Sequence, residues 1–348
     1  MKTDALSNPG RIYGFDILKC ICAFLVICIH AHLPENINIY VEPLTRTAVP
    51  IFFMITGFFY NDTVKKNKTN KQIIRILNIS IIATILYGIW SLLIYDGSVY
   101  TFLKASLHPG QILYFLLFNV PIWGNHLWYL WSLLYILLLS KIVLKYFDKI
   151  VYYFIPLLLA AGLILGKYSL CILGRDISHI FSRNFLFTGI PFFYLGKLFN
   201  EWFIKRNASI NKLSDTGLII LMVLFYMTSL CEGILINKLN MYTKGDLYIR
   251  TAFLASAAFV FFLRKNNSNE NKALDTLALV GKKYSLIIYI IHVIFRDSFV
   301  MLVDKISIYL PYAAKIYSYT SPIFIAIPSI FLAILIKDVI EKKIYYKL

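Results

Sequence analysis

Lys19 and His30 stand eleven residues apart in one apolar stretch, Phe15-Asp16-Ile17-Leu18-Lys19 leading to Ile27-Cys28-Ile29-His30. At 3.6 residues per turn, eleven steps make about three turns, which places the two side chains within roughly 20° of each other across a rise of roughly 16 Å. Asp16 lies one turn before Lys19 on a similar face. A helix that keeps a cation near one end and an imidazole near the other, amid Leu, Ile, Val, Phe and Cys, tolerates a cost. Ionisable groups in membrane segments are functional candidates by default, and an imidazole suits proton transfer near neutral pH.

Other polar residues gather at the ends of apolar stretches. His30 and His32 close the first, and Arg46 precedes the second. Asn125, His126 and Trp128 open the fourth, and Ser182, Arg183 and Asn184 open the sixth. In the ninth, Ser285, Tyr289, His292 and Arg296 follow spacings of 4, 3 and 4, a single helical stripe. With the N-terminus inside, these groups share the outer half of the bilayer, as a polar chamber opening outward would require. Lys19 and Asp16 fall on the cytoplasmic side. Such an arrangement fits a reaction that takes a donor from inside and an acceptor from outside. Each residue also has a structural reading. His32 fits an interfacial position, and His126 beside Trp128 and Trp131 fits an aromatic belt. His292 can pair with Asp297 or Tyr289, and Lys19 can snorkel to headgroups. Arg46 and Arg183 fit structural pairs as well as anion contacts.

The elements that must position these groups are membrane helices. The chain is 59% hydrophobic and 15% charged, against about 25% charged in soluble domains. Ten stretches approach spanning length: 14–32, 47–60, 74–94, 123–144, 149–166, 184–203, 215–234, 247–263, 281–302 and 321–340. The run at 111–120 is too short to span and is expected to be re-entrant or interfacial. The expected fold is an all-α polytopic bundle of about ten transmembrane helices in a single domain over 1–348. The net charge of +17 does not point to nucleic acid. With N-terminus and C-terminus both inside, inner segments carry about twice as many Lys and Arg as outer ones, as the positive-inside rule requires. Lys65, Lys66 and Lys68 form one such inner cluster. The first span is expected to be an uncleaved anchor, since the polar start 1–5 carries no cleavage site. The five cysteines read as small buried hydrophobes rather than a disulfide framework. No metal set is expected, because Cys20 and Cys22 point about 200° apart on a helix.

Several motifs carry a resemblance. They are the basic residue eleven positions before His30, Arg46 with Val49-Pro50-Ile51-Phe52-Phe53-Met54-Ile55-Thr56-Gly57-Phe58, and Ser285-Leu286-Ile287-Ile288-Tyr289-Ile290-Ile291-His292. In order and spacing the chain resembles acyltransferase family 3 of membrane proteins over nearly its whole length. His126-Leu127-Trp128-Tyr129-Leu130 and the stretch from Arg183 to Gly196 resemble its low-GC bacterial branch. The resemblance implies an enzyme of the bacterial plasma membrane. It would move an acyl group, usually acetyl, from cytoplasmic acyl-CoA to a hydroxyl on an extracytoplasmic glycan or small acceptor. Acyl-CoA is then a substrate, and no permanently bound cofactor is implied. His30 falls on the histidine the family needs for activity. Lys19 falls on its partner cation, usually arginine, and keeps the charge without the bidentate fork. Many glycan-acylating members carry acidic residues after the tryptophan of the fourth span, and this chain has none there.

On that reading His30 is the catalytic base, with Lys19 and Asp16 at the donor end. Arg46, His126, Trp128, Arg183, Tyr289 and His292 serve as substrate contacts, and Arg46, His126 and Tyr289 are the candidate oxyanion donors. The alternative follows from a second likeness of the same branch, to the membrane half of vancomycin-resistance serine racemases. It is a transport domain for L-serine or another small polar solute. No racemase domain is expected in this chain, which runs out just past the tenth span.

Overall fold

The computed structural model describes residues 11–31, 33–205, 214–243, 245–265 and 271–345. His32 and the N-terminal stretch 1–10, with the anchor expectation attached to it, lie outside them. The described residues form helices joined by turns and short irregular connections, with no strand. In chain order the helices are α1 (Tyr13–His30), α2 (Glu35–Thr45), α3 (Ala48–Lys65), α4 (Thr69–Leu93), α5 (Val99–Ser106), α6 (Pro109–Phe118), α7 (Trp128–Ile142), α8 (Asp148–Leu165), α9 (Ser169–Leu173), α10 (Ile190–Lys205), α11 (Asp215–Lys238), α12 (Thr251–Leu263), α13 (Lys272–Lys283), α14 (Ser285–Ser307) and α15 (Ala313–Tyr345).

Among the described residues, six helices are long and apolar enough to cross a membrane: α1, α4, α8, α11, α14 and, over Ala313–Val339, α15. The protein is a multi-pass membrane protein. The other four expected stretches coincide with α3, α7, α10 and α12, of 18, 15, 16 and 13 residues. Three of these are shortened for local reasons. Before α7 the chain turns through Gly124 at φ 71° and a 3-10 turn, Asn125–Leu127. Before α10 it makes a π turn, Phe185–Gly189; Pro191 has no N–H to donate into a regular helix at this junction. Before α12, Thr243 and Tyr248 are tied down by their side chains. Thr243 donates to the Gly166 carbonyl at 2.9 Å, and the Lys167 ammonium lies 4.0 Å from the Tyr248 ring centroid.

The chain packs as two compact units. The first comprises Met1–Phe52, Arg206–Gly233 and Arg250–Leu348. Within it α1 touches α2, α12, α13, α14 and α15. Its Ala23 and Ile27 join Ile288 and Ile291 of α14 and Ile325, Ala326 and Ala333 of α15 in one buried cluster. Lipid is as apolar as these side chains, so close packing rather than exclusion from water must hold the helices together. Gly281 shows how close that packing is. A Cβ there would lie 1.8 Å from the Asp16 carbonyl oxygen, so only glycine lets α13 rest on the start of α1.

The second unit comprises Phe53–Lys205 and Ile234–Ile249. Here α4 packs on α7, α8 on α10, and the π turn on all of α7, α8 and α10. Helices α3 and α10 meet glycine to backbone in both directions. A Cβ on Gly57 would lie 1.9 Å from the Phe193 oxygen, and one on Gly196 would lie 1.9 Å from the Met54 oxygen. Buried Asn119, at φ 51°, ties three pieces together. It donates to the Trp128 carbonyl at 3.2 Å and accepts from Phe185 N at 2.8 Å. Cysteine use is mixed: Cys22 and Cys28 are buried, but Cys171 and Cys231 are exposed rather than in the core. All five are free thiols.

Candidate active site

His30 ends α1, and His292 lies in the third turn of α14. The packing of these two helices brings the imidazoles to 5.1 Å between ring centroids, tilted by 50°. His292 is fully buried. Its Nδ1 faces two main-chain carbonyl oxygens, Tyr289 at 2.8 Å and Ile288 at 3.2 Å. A carbonyl oxygen can only accept, so Nδ1 carries the proton and Nε2 of the neutral ring carries the lone pair. The tautomer of His292 is therefore set by its own helix. Tyr289 is buried too, its ring 6.3 Å from that of His292. Of the stripe expected along α14, Ser285, Tyr289 and His292 are buried and Arg296 is half-buried. Asp297, offered above as a partner for His292, accepts from Arg296 Nε at 2.8 Å.

At the other end of α1, Asp16 is buried between two cations. Arg11 Nε donates to it at 2.7 Å and Lys19 Nζ at 3.2 Å. The Asp16 side chain is 5% exposed, Lys19 28% and Arg11 51%. The carboxylate is desolvated and the cations are not, so the cluster leaves one positive charge facing outward from the start of the helix.

Arg46 caps the end of α2 and reaches back one turn, with Nε 3.1 Å and Nη2 2.9 Å from Glu42 Oε1. Both side chains are largely buried. Glu42 was not singled out in the sequence, although its position four residues before a basic residue on a helix was a legible signal.

His126, Trp128 and Arg183 belong to the second unit. His126 is buried in the 3-10 turn before α7, its ring edge-on to Tyr87 at 4.5 Å. Trp128 opens α7 and packs against Phe53 at 6.2 Å. Arg183 forms a two-pronged pair with Asp246, one contact at 2.7 Å. Another pair had no local sequence signal. Buried Lys197 of α10 pairs with Asp148 of α8, and the Tyr194 hydroxyl donates to the same carboxylate at 3.1 Å. Its members lie 49 residues apart, beyond the reach of any helical pattern.

A family model described as an acyltransferase domain matches residues 12–341. The match takes in both ends of α1, the stripe on α14 and the Arg46, His126 and Arg183 positions. No curated protein and no solved structure matches the chain.

Proposed function

This chain belongs to the acyltransferase family, and we propose that it moves an acetyl group from cytoplasmic acetyl-CoA to a hydroxyl of an extracytoplasmic acceptor such as a cell-envelope glycan. It is a membrane acyltransferase, and a bacterial plasma membrane is its proposed setting. The observation that carries the finer reading is the contact between His30 and His292. His292 has its proton on Nδ1, so its Nε2 can accept an N–H from His30. That bond would leave the other nitrogen of His30 as a base.

In the proposed reaction the acceptor oxygen attacks the thioester carbonyl carbon while His30 takes the hydroxyl proton. The C–S bond then breaks, and His30 returns the proton to the leaving thiolate. The buried Tyr289 hydroxyl and Arg46 are the proposed donors to the oxyanion formed between these steps. Lys19 and Arg11, flanking Asp16, attract the polyanionic donor to the start of α1.

The test is thermal shift on the purified full-length protein with acetyl-CoA or L-serine, followed by transfer of labelled acetyl in reconstituted vesicles. Stabilisation by acetyl-CoA, weakened by Lys19→Ala, together with transfer lost in His30→Ala, is the expected result. Stabilisation by L-serine alone, with no transfer, would overturn the reading in favour of transport.

A further inference from the structure

Helices α3 and α10 meet glycine to backbone at Gly57 and Gly196. One turn beyond that contact the second unit holds a cavity of about 320 Å³. Its lining is Asn61, Val64 and Lys65 from α3 and Asn200, Glu201 and Ile204 from α10. Each trio contains residues three and four apart, so one face of each helix makes a wall. The volume lies within the usual range of small-ligand sites. The chemistry proposed for His30 uses none of these residues.

Asn200 is the innermost group of the lining. It is 1% exposed, and among the described residues neither its amide nitrogen nor its amide oxygen has a hydrogen-bond partner. Buried amides are normally satisfied at both ends, because leaving one unmet costs its full desolvation. A ligand that offers both a donor and an acceptor would meet both needs at once.

Glu201 lies beside it, half-buried. Its Oε1 accepts from the Tyr152 hydroxyl at 2.6 Å, and among the described residues no cation forms an ion pair with it. A carboxylate has acceptor positions beyond the one that Tyr152 takes. The cavity therefore presents two oxygen acceptors, one of them charged. A primary ammonium, with three N–H donors, answers both. The Asn200 amide nitrogen and the Lys65 ammonium are donors for an anionic oxygen carried next to that ammonium.

The rim indicates where such a ligand comes from. Val64 and Ile204 are 46% and 49% exposed. Helix α3 runs into Lys65, Lys66 and Lys68, a cluster that the positive-inside rule assigns to the cytoplasmic boundary. A polar cavity with an apolar, exposed rim at that depth suits a lipid, whose head group turns inward while its chains stay in the bilayer.

We propose that this cavity seats the head group of an amine-bearing zwitterionic lipid. The ammonium lies between the Asn200 amide oxygen and the Glu201 carboxylate. The phosphodiester faces Lys65 and the Asn200 amide nitrogen, and the acyl chains leave past Val64 and Ile204. The bound lipid braces α3 against α10. This site does not rest on the acetyl-transfer reading.

The experiment places the full-length protein in nanodiscs of phosphatidylcholine, with or without phosphatidylethanolamine. Both lipids are zwitterionic, and only the second has an ammonium with N–H donors. Melting temperature is followed for wild type, Glu201→Gln and Asn200→Leu. Lipid retained on the protein after release from the discs is identified by native mass spectrometry. Phosphatidylethanolamine should raise the wild-type melting temperature by several degrees and be retained about tenfold over phosphatidylcholine. Glu201→Gln keeps the shape and an oxygen for Tyr152 to donate to, and it should lose both effects. Asn200→Leu should lose the retention; if it does not fold, Glu201→Gln alone decides. A melting shift and retention equal in wild type and Glu201→Gln would trace to the bilayer as a whole and overturn the proposal. Free ethanolamine added to phosphatidylcholine discs should give no shift. A shift equal to that of the lipid would overturn the lipid assignment in favour of a soluble amine.

Discussion

His292 turns Nδ1 to the main-chain oxygens of its own helix and its ring to His30, 5.1 Å away. One imidazole is thus fixed by backbone geometry and the other stands at a helix end. This division suits a pair in which one ring orients and the other reacts. Replacing His30 with Ala should lower acetyl transfer by about 10²–10⁴-fold, the usual contribution of a positioned base. Labelled-acetyl transfer in vesicles checks this. Equal rates in variant and wild type would remove His30 from the mechanism.

On the proposed reading His292 acts through His30, as a positioning residue rather than the substrate contact that the resemblance implies. His292→Gln should reduce kcat by roughly 10²-fold, as misplacement of a reacting group does, with little change in the KM for acetyl-CoA. The pH–rate profile should also move, because the ring proposed to orient His30 is replaced. A fall in protein yield with an unchanged profile would indicate a purely structural role.

Asp16 holds Lys19 at 3.2 Å and Arg11 at 2.7 Å. Asp16→Asn should leave two cations without their carboxylate and loosen the orientation of Lys19. The KM for acetyl-CoA should rise with kcat nearly unchanged. Lys19→Arg should preserve binding, since arginine keeps the charge and adds a second prong for phosphate. Steady-state kinetics on the two variants separates orientation from charge.

Gly281 admits no side chain, because a Cβ would stand 1.8 Å from the Asp16 oxygen. Backbone cannot yield as a flexible side chain would. Gly281→Ala should therefore force α13 off α1 and cost about 1–3 kcal/mol. A melting curve followed by size-exclusion fluorescence should show a drop of several degrees. An unchanged melting temperature would mean that the two helices separate without penalty.

Arg183 and Asp246 bind each other through two prongs. Arg183→Ala and Asp246→Ala should each destabilise the protein, and the double variant should be less harmed than the sum. A coupling of about 0.5–3 kcal/mol is expected for such neighbours. A double-mutant cycle on thermal stability measures it, and strict additivity would show that the pair contributes nothing jointly.

Much of this was legible in the chain. Apolar runs marked where helices lie because lipid leaves a helical backbone no other way to satisfy its N–H and C=O groups. Helical spacing put Lys19 with His30 on α1, and Tyr289 with His292 on α14, for a period of 3.6 places such residues on one face. Both were local facts, set within a few turns. Helix ends were harder. The stretch 184–203 reads as one apolar run, yet Asn119, 66 residues before Phe185, accepts from Phe185 N and helps shape the π turn that opens it.

What tertiary structure alone decided was which charges meet. His30 finds His292 across 262 residues of chain, Arg183 finds Asp246 and Lys197 finds Asp148. Sequence sets the type and face of each side chain, since those follow from the backbone period. It does not set the partner, because that depends on which helices and connecting segments pack against one another. At the start of α1 the decision rests on a missing side chain: Gly281 carries no Cβ, so α13 can lie against Asp16.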